Sequence, residues 1–362
     1  MNVDPRPRRI NISNFYNASI KDWEVYFHDI FCDRNKQLEP KFIWLKVIEH
    51  STRIAEGIRK RRFFEAVTSV ARVFCWTCAF VSSNPDLFGN SSLEDLLWYK
   101  YPRACSYCTS PLKNDIRKII EEKGAVPCKC GPEIEETAQK MSSARHLEDY
   151  RKELQKPKSL DDWGKMIDTI YNRRHTLMSL DSICFHFFEE VGEVLLAMRT
   201  NSDFQINIPE NDYSIDKVKK AFVNVKLFEE FLKKEDPKYK ELINATKQAV
   251  KEEVADVISW LFSLTSKLLS LRTSFSDYEK GTFDLIQQIP EEKALTKLTG
   301  YGILRTPSDS FLNLSSILYI WYANGCTVCN NFQKGKDKCQ CSTKITRLFI
   351  TRARSNDVKI EA

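Results

Sequence analysis

Apolar residues recur along this chain at three- and four-residue spacings, the pattern of helices that turn one face to a core. SIKDWEVYFHDIFCDR from Ser19 and SLDDWGKMIDTIYNRR from Ser159 each open on residues suited to a helix N-cap. These are Ser19 or Asp22 in the first and Ser159 or Asp161 in the second. Two later stretches, Phe185–Arg199 (FHFFEEVGEVLLAMR) and Lys251–Leu264 (KEEVADVISWLFSL), are apolar on nearly every side, which predicts helices buried all round. Asp236-Pro237 is a start signal, because proline is tolerated in the first turn, and no breaker follows before about Thr273. The second acidic stretch is therefore expected far along one long helix. Residues 201–235, around KVKKAFVNVKLFEEFLKK, read as an exposed, charged helical insertion. Segments 132–158 and 273–308 carry Pro, Gly, Ser and charge and read as connectors. The expected fold class is all-α.

The chain also resembles itself. The segment from Ser19 lies over that from Ser159, matching Asp22 to Asp162, Trp23 to Trp163, Ile30 to Ile170 and Arg34 to Arg174. At the same spacing Trp44–Lys60 falls on Cys184–Thr200, and at wider spacings Val70–Trp76 falls on Val254–Trp260 and Leu93–Cys108 on Leu314–Cys329. Four blocks in one order imply a tandem duplication. We place the first unit at 1–150 and the second at 151–362, with the charged insertion at 201–250 in the second.

Acidic residues set the copies apart. The second carries Glu189, Glu190 and Glu193, then Glu252, Glu253 and Asp256. Helix positions three or four apart share a face, so Glu190 with Glu193, and Glu253 with Asp256, each make a two-carboxylate edge. Carboxylates packed among apolar residues need a cation, or their pKa values rise. Oxygen-only ligands suit Mg²⁺ or Mn²⁺. Glu190, Glu193, Glu253 and Asp256 are the expected metal ligands, and Glu189 or Glu252 is the candidate to take a proton from water, although spacing alone does not separate ligand from base. Lys267, about three turns beyond Asp256 on the same face, can reach phosphate or simply extend its stem along the surface. The first copy has Glu49, His50 and Arg53, then Ser69 and Arg72, at the matching places. A cation cage cannot be built from cations. Arg53 and Arg72 either hold helices together or bind an anion.

EExxE at Glu189–Glu193, followed on a later helix by ExxD at Glu253–Asp256, resembles the MazG-like, all-α nucleotide pyrophosphohydrolase family. The resemblance implies small helical bundles whose acidic positions hold Mg²⁺ and support hydrolysis of a (d)NTP to the monophosphate and pyrophosphate. The chain would then be two MazG-like helical-bundle repeats. The first would be catalytically silent and would stand in for the partner subunit of homodimeric relatives, giving an intrachain pseudo-dimer that can itself form homo-oligomers. The charged insertion makes the gap between the motif halves longer than the family's. Two other readings stay open: a nucleotide sensor without turnover, and a zinc-containing module that contacts nucleic acid or protein. In the latter, Trp98, Tyr99, Tyr101, Trp321 and Tyr322 could stack bases, although they also read as core.

Each copy ends in a cysteine cluster: Cys105, Cys108, Cys128 and Cys130 in the first, Cys326, Cys329, Cys339 and Cys341 in the second. CxxC followed by CxC offers four thiolates to one tetrahedral ion, so each unit is expected to end in a small structural Zn²⁺ module, two ions per chain, with iron–sulfur as the alternative. Cys75 and Cys78 lie within an apolar helical stretch and read as core, as do Cys32 and Cys184. His175 and His186, flanking the acidic helix, read as ordinary core or surface histidines. Twelve cysteines among 362 residues fall short of the roughly 8–10% of a disulfide scaffold. MNVDPRPRRINISN contains no apolar stretch of a secretory signal, and no run of about 18 apolar residues predicts a membrane span. These features point to a reducing cytoplasm. The net charge of +6 comes from an Arg-rich start, the insertion and a basic tail, and reads as solubilising rather than as a nucleic-acid footprint.

Overall fold

The computed structural model describes residues 17–36, 38–106, 116–128, 148–202, 237–271, 274 and 313–322. Its elements are α1 (Ile20–Asn35), α2 (Pro40–Arg59), α3 (Phe63–Ser82), α4 (Pro85–Phe88), α5 (Leu93–Lys100), α6 (Ile116–Lys123), α7 (Glu148–Glu153), α8 (Leu160–Leu177), α9 (Leu180–Ser202), α10 (Pro237–Ser270) and α11 (Leu314–Tyr322). No strand occurs among the described residues, and the class is all-α.

The helix starts follow local chemistry. Ser19 accepts the amide of Asp22 at 3.0 Å, while the Asp22 carboxylate takes the Ser19 amide at 2.9 Å, a reciprocal capping box. Ser159 and Asp162 repeat the arrangement at 3.1 and 3.2 Å, and Ser92 with Asp95 opens α5 in the same way. Helix α10 begins at Pro237, as its start signal predicts, so Glu253 and Asp256 sit deep in its length.

The core is rich in aromatic side chains, with Trp23, Trp44 and Trp163 fully buried. The helix pairings come in matched sets: α2 packs along α3 and α9 along α10, while α1 rests on α3 and α8 on α10. The short helices cross over. Helix α5 packs on α10, α11 packs on α3, and α2 touches α9. The indole nitrogen of Trp44 on α2 donates to the backbone oxygen of Val191 on α9 at 3.1 Å. Beside these crossings Tyr101 meets Tyr171 of α8 edge-on at 6.1 Å, and Tyr322 meets Phe31 of α1 edge-on at 6.2 Å. Helix α3 has the length and apolarity to cross a membrane, but Val73, Phe74, Cys75, Cys78 and Phe80 are buried among its neighbours. Cys184 is likewise buried, while Cys32 is only partly so.

Two expectations need correction. Helix α9 is not buried all round: Phe187, Val191 and Val194 face the core, whereas Phe185 is 70% and Leu196 60% exposed. Apolar composition does not place a residue when the helical phase points it outward. The supposed connector at 132–158 contains α7, where the Arg151 guanidinium donates to the backbone oxygen of Tyr99 at 2.6 Å and lies 4.3 Å from its ring centre. Of the insertion at 201–250, residues 203–236 lie outside the described residues and the rest from Pro237 belongs to α10.

The α2–α3 hairpin closes on Gly57, where an added Cβ would come within 2.7 Å of the Ala66 amide nitrogen and 3.0 Å of its Cβ. Gly57→Ala is expected to lower stability by about 1–3 kcal/mol through overpacking. Gly192→Ala on α9, where nothing lies within 4 Å, is expected to raise it by up to about 1 kcal/mol, because alanine favours the helix. Chemical denaturation midpoints that fail to move in opposite directions would contradict this packing.

Candidate metal centre

Lengthwise packing of α9 on α10 carries Glu190 and Glu193 to Glu253. One carboxylate oxygen from each lies within 4.8 Å of the other two. Three of the four expected ligands therefore come together.

Asp256 lies beside this group, close enough for its charge to act on Glu190 and Glu253, but is engaged by other partners. It is buried, its Oδ2 accepts the ammonium of Lys100, and its Oδ1 accepts the hydroxyl of Tyr101. Lys100 also donates to the backbone oxygen of Glu252 at 3.5 Å. Both donors stand at the end of α5 in the N-terminal half; Tyr101 is one of the aromatics the sequence offers as a stacking residue, whereas Lys100 belongs to no sequence motif. A signal did exist: Leu93, Leu96, Leu97 and Lys100 form one apolar stripe at i, i+3, i+4 and i+7, and a lysine in such a stripe is brought inward with it.

Burial pushes the Glu190 carboxyl far above the usual carboxylate range. The charge of Asp256 adds to this, and Lys100 pulls the other way. Glu253 is raised for the same reasons, burial first, and its hydrogen bond with Glu193 reinforces the effect. Trp260 holds Glu190 in place, its indole nitrogen donating to Oε1 at 3.0 Å. Protons thus stabilise this cluster where a cation is lacking. Hard oxygen donors this close together suit Mg²⁺ or Mn²⁺.

The remaining candidates stand around this group. Glu189 is exposed and its Oε2 lies 2.7 Å from Nδ1 of His186, whose ring stacks on Trp260 at 4.9 Å. Glu252 accepts the Gln248 amide at 2.9 Å. The Lys267 ammonium donates to the backbone oxygen of His175 at 3.1 Å, satisfying a carbonyl in the last turn of α8. In the first half, Arg53 pairs with Glu49 at 2.9 Å on its own helix. His50 is buried, and burial with the nearby charge of Arg72 lowers its pKa to about 4.

Cys105 and Cys128 are both buried beside Tyr171, whose hydroxyl lies 3.9 Å from Sγ of Cys105. No disulfide joins the described cysteines. Cys108, Cys130, Cys326, Cys329, Cys339 and Cys341 lie outside the described residues.

Comparison with protein-family models, curated proteins and solved structures found no match to this chain.

The raised carboxyls set the sign of a pH effect. A group whose folded pKa is raised contributes stability that is complete below its unfolded value and is lost as pH rises towards the folded one. Without divalent ions, thermal stability is expected to fall from about pH 5 upward, because unfolded glutamates titrate near 4.3. Added Mg²⁺ should restore most at the alkaline end. Melting curves in chelator whose midpoint rises with pH over that range would contradict this.

Proposed function

We propose that this chain is a Mg²⁺-dependent nucleoside triphosphate pyrophosphohydrolase, a MazG-like, all-α enzyme that converts (d)NTP and water to (d)NMP and pyrophosphate. The observation that carries the reading is the convergence of Glu190, Glu193 and Glu253 from α9 and α10. In this reading those three residues hold Mg²⁺ or Mn²⁺, with Asp256 beside them on Lys100 and Tyr101. Such a bound ion neutralises phosphate oxygens and makes a coordinated water more acidic. Trp260 fixes the orientation of Glu190. Of the two base candidates, Glu189 has an imidazole beside it, so a proton accepted at its Oε2 can be shared with Nδ1 of His186. Glu252 is held by Gln248 and its backbone oxygen by Lys100. Lys267, engaged at the end of α8, contributes to that helix end before it contributes to substrate.

The duplication, with units at 1–150 and 151–362, is supported by the helix starts. Ile20 corresponds to Leu160, Pro40 to Leu180 and Leu93 to Leu314, and each is the first residue of its helix. The crossed packing of α5 on α10 and α11 on α3 is what a pseudo-dimer within one chain requires. The cysteine sets are read as Zn²⁺ modules ending each unit, supported in the first by Cys105 and Cys128 meeting at Tyr171. Elemental analysis of protein purified without chelator should find about two zinc ions per chain; finding none would remove both modules. We place the enzyme in the cytoplasm, with a nucleoside triphosphate as its partner molecule.

The test is incubation with each ribo- and deoxyribonucleoside triphosphate and Mg²⁺, following pyrophosphate. Release with at least one of them supports the enzyme. Saturable nucleotide binding with no release favours a sensor, and neither binding nor release overturns the nucleotide reading.

A further inference from the structure

Lys100 reaches the carboxylate site from the other half of the chain. It is the last residue of α5, drawn inward by the apolar face it shares with Leu93, Leu96 and Leu97. Its side chain is 5% exposed and that of Asp256 7%. Lys100 donates to Oδ2 of Asp256 and to the backbone oxygen of Glu252, and Tyr101 donates to Oδ1. Both carboxylate oxygens of Asp256 therefore have protein donors, and although its charge acts on Glu190 and Glu253, the three oxygens that lie within 4.8 Å of one another come from Glu190, Glu193 and Glu253. Turning a buried ammonium out of its pair strands a charge in the interior, which is strongly unfavourable. A divalent ion entering the site thus meets three glutamates and an aspartate already neutralised.

We infer that Lys100 is a built-in cation that occupies Asp256 in place of a second metal ion, leaving Glu190, Glu193 and Glu253 to hold a single divalent ion. This rests on the metal-site reading above. It gives the N-terminal half, which has His50, Arg53, Ser69 and Arg72 at the places of the four expected ligands, a task at the site of the C-terminal half: α5 supplies the fixed positive charge and α9 with α10 the negative ones. Lys100 is then a positioning residue. It acts through Asp256 and limits how many ions the cage accepts.

The experiment is a Mn²⁺ titration of the full chain without nucleotide, read by electron paramagnetic resonance. Ions at the cage are identified as those lost in Glu193→Gln. The wild type should bind a single ion there. Lys100→Met with Asp256→Asn removes both charges of the buried pair and strands neither. This double variant removes one positive and one negative charge together, so the net charge facing the cage is unchanged and the ion should stay bound with affinity within about threefold of wild type. Lys100→Met alone bares Asp256 and should add a second ion or tighten the first by about tenfold, the equivalent of 1.4 kcal/mol. Two cage ions in the wild type overturn the inference, as does a folded double variant that loses the ion, because Asp256 is then a ligand. Lys100→Met binding Mn²⁺ as wild type does counts equally against it. If the wild type binds no Mn²⁺ at all, the metal-site reading fails and this inference with it.

Discussion

Glu190→Gln should reduce nucleotide hydrolysis by about 10³-fold while leaving the metal-free protein at least as stable as the parent. Under the proposed function, the first effect follows from losing one ligand of the proposed metal ion, since several kcal/mol of metal-borne stabilisation converts at tenfold per 1.36 kcal/mol. The second follows from burial. The Glu190 carboxyl is held protonated by its surroundings, so a neutral amide of the same shape suits the site without a proton. Its carbonyl oxygen can still accept the indole of Trp260. A structural glutamate would show the opposite pair of effects, lost stability with activity per folded molecule retained. Melting in chelator alongside initial rates in Mg²⁺ separates the two.

Asp256→Ala should have the largest effect on folding, about 3–5 kcal/mol, because it leaves the Lys100 ammonium buried without its anion. Against a typical total of about 5–15 kcal/mol, that is enough to depopulate the native state at moderate temperature. Replacing both partners, Lys100→Met with Asp256→Asn, should recover most of the loss, since no charge is stranded. Urea denaturation of the two variants checks this directly. Equal destabilisation of both would show that Lys100 and Asp256 do not depend on each other. Loss of activity in Asp256→Ala alone would not identify a metal ligand, because the fold suffers first.

How far the site was legible depended on the sequence range of its interactions. Glu190 and Glu193 are one turn apart on one helix, so helical periodicity alone places them together, and the start signal at Pro237 sets Glu253 within a long continuous helix. The ion pair of Lys100 with Asp256 joins residues 156 positions apart, and no local pattern encodes which distant carboxylate a buried lysine will meet. Only the inward place of Lys100 on the α5 stripe was readable. Helix α9 departs from its expected burial for a related reason: Phe185 and Leu196 count as apolar in composition but occupy the outward phase of the helix. Segment α7 looked like a connector because its order comes from Arg151 reaching Tyr99, a contact outside its own sequence. The helix starts at Ser19, Ser92 and Ser159 depend on side chains only three residues away, and such local signals carry over from sequence to structure.

In the proposed function, a metal ion held by the three glutamates directs water to the bond between the α- and β-phosphates. The most direct measurement is ³¹P NMR of the products formed from the best nucleoside triphosphate in Mg²⁺, for the wild type and Glu190→Gln in parallel. Nucleoside monophosphate and pyrophosphate are expected from the wild type only, with no signal change in chelator. Nucleoside diphosphate with orthophosphate, or the same products at the same rate from Glu190→Gln, would contradict the proposed function.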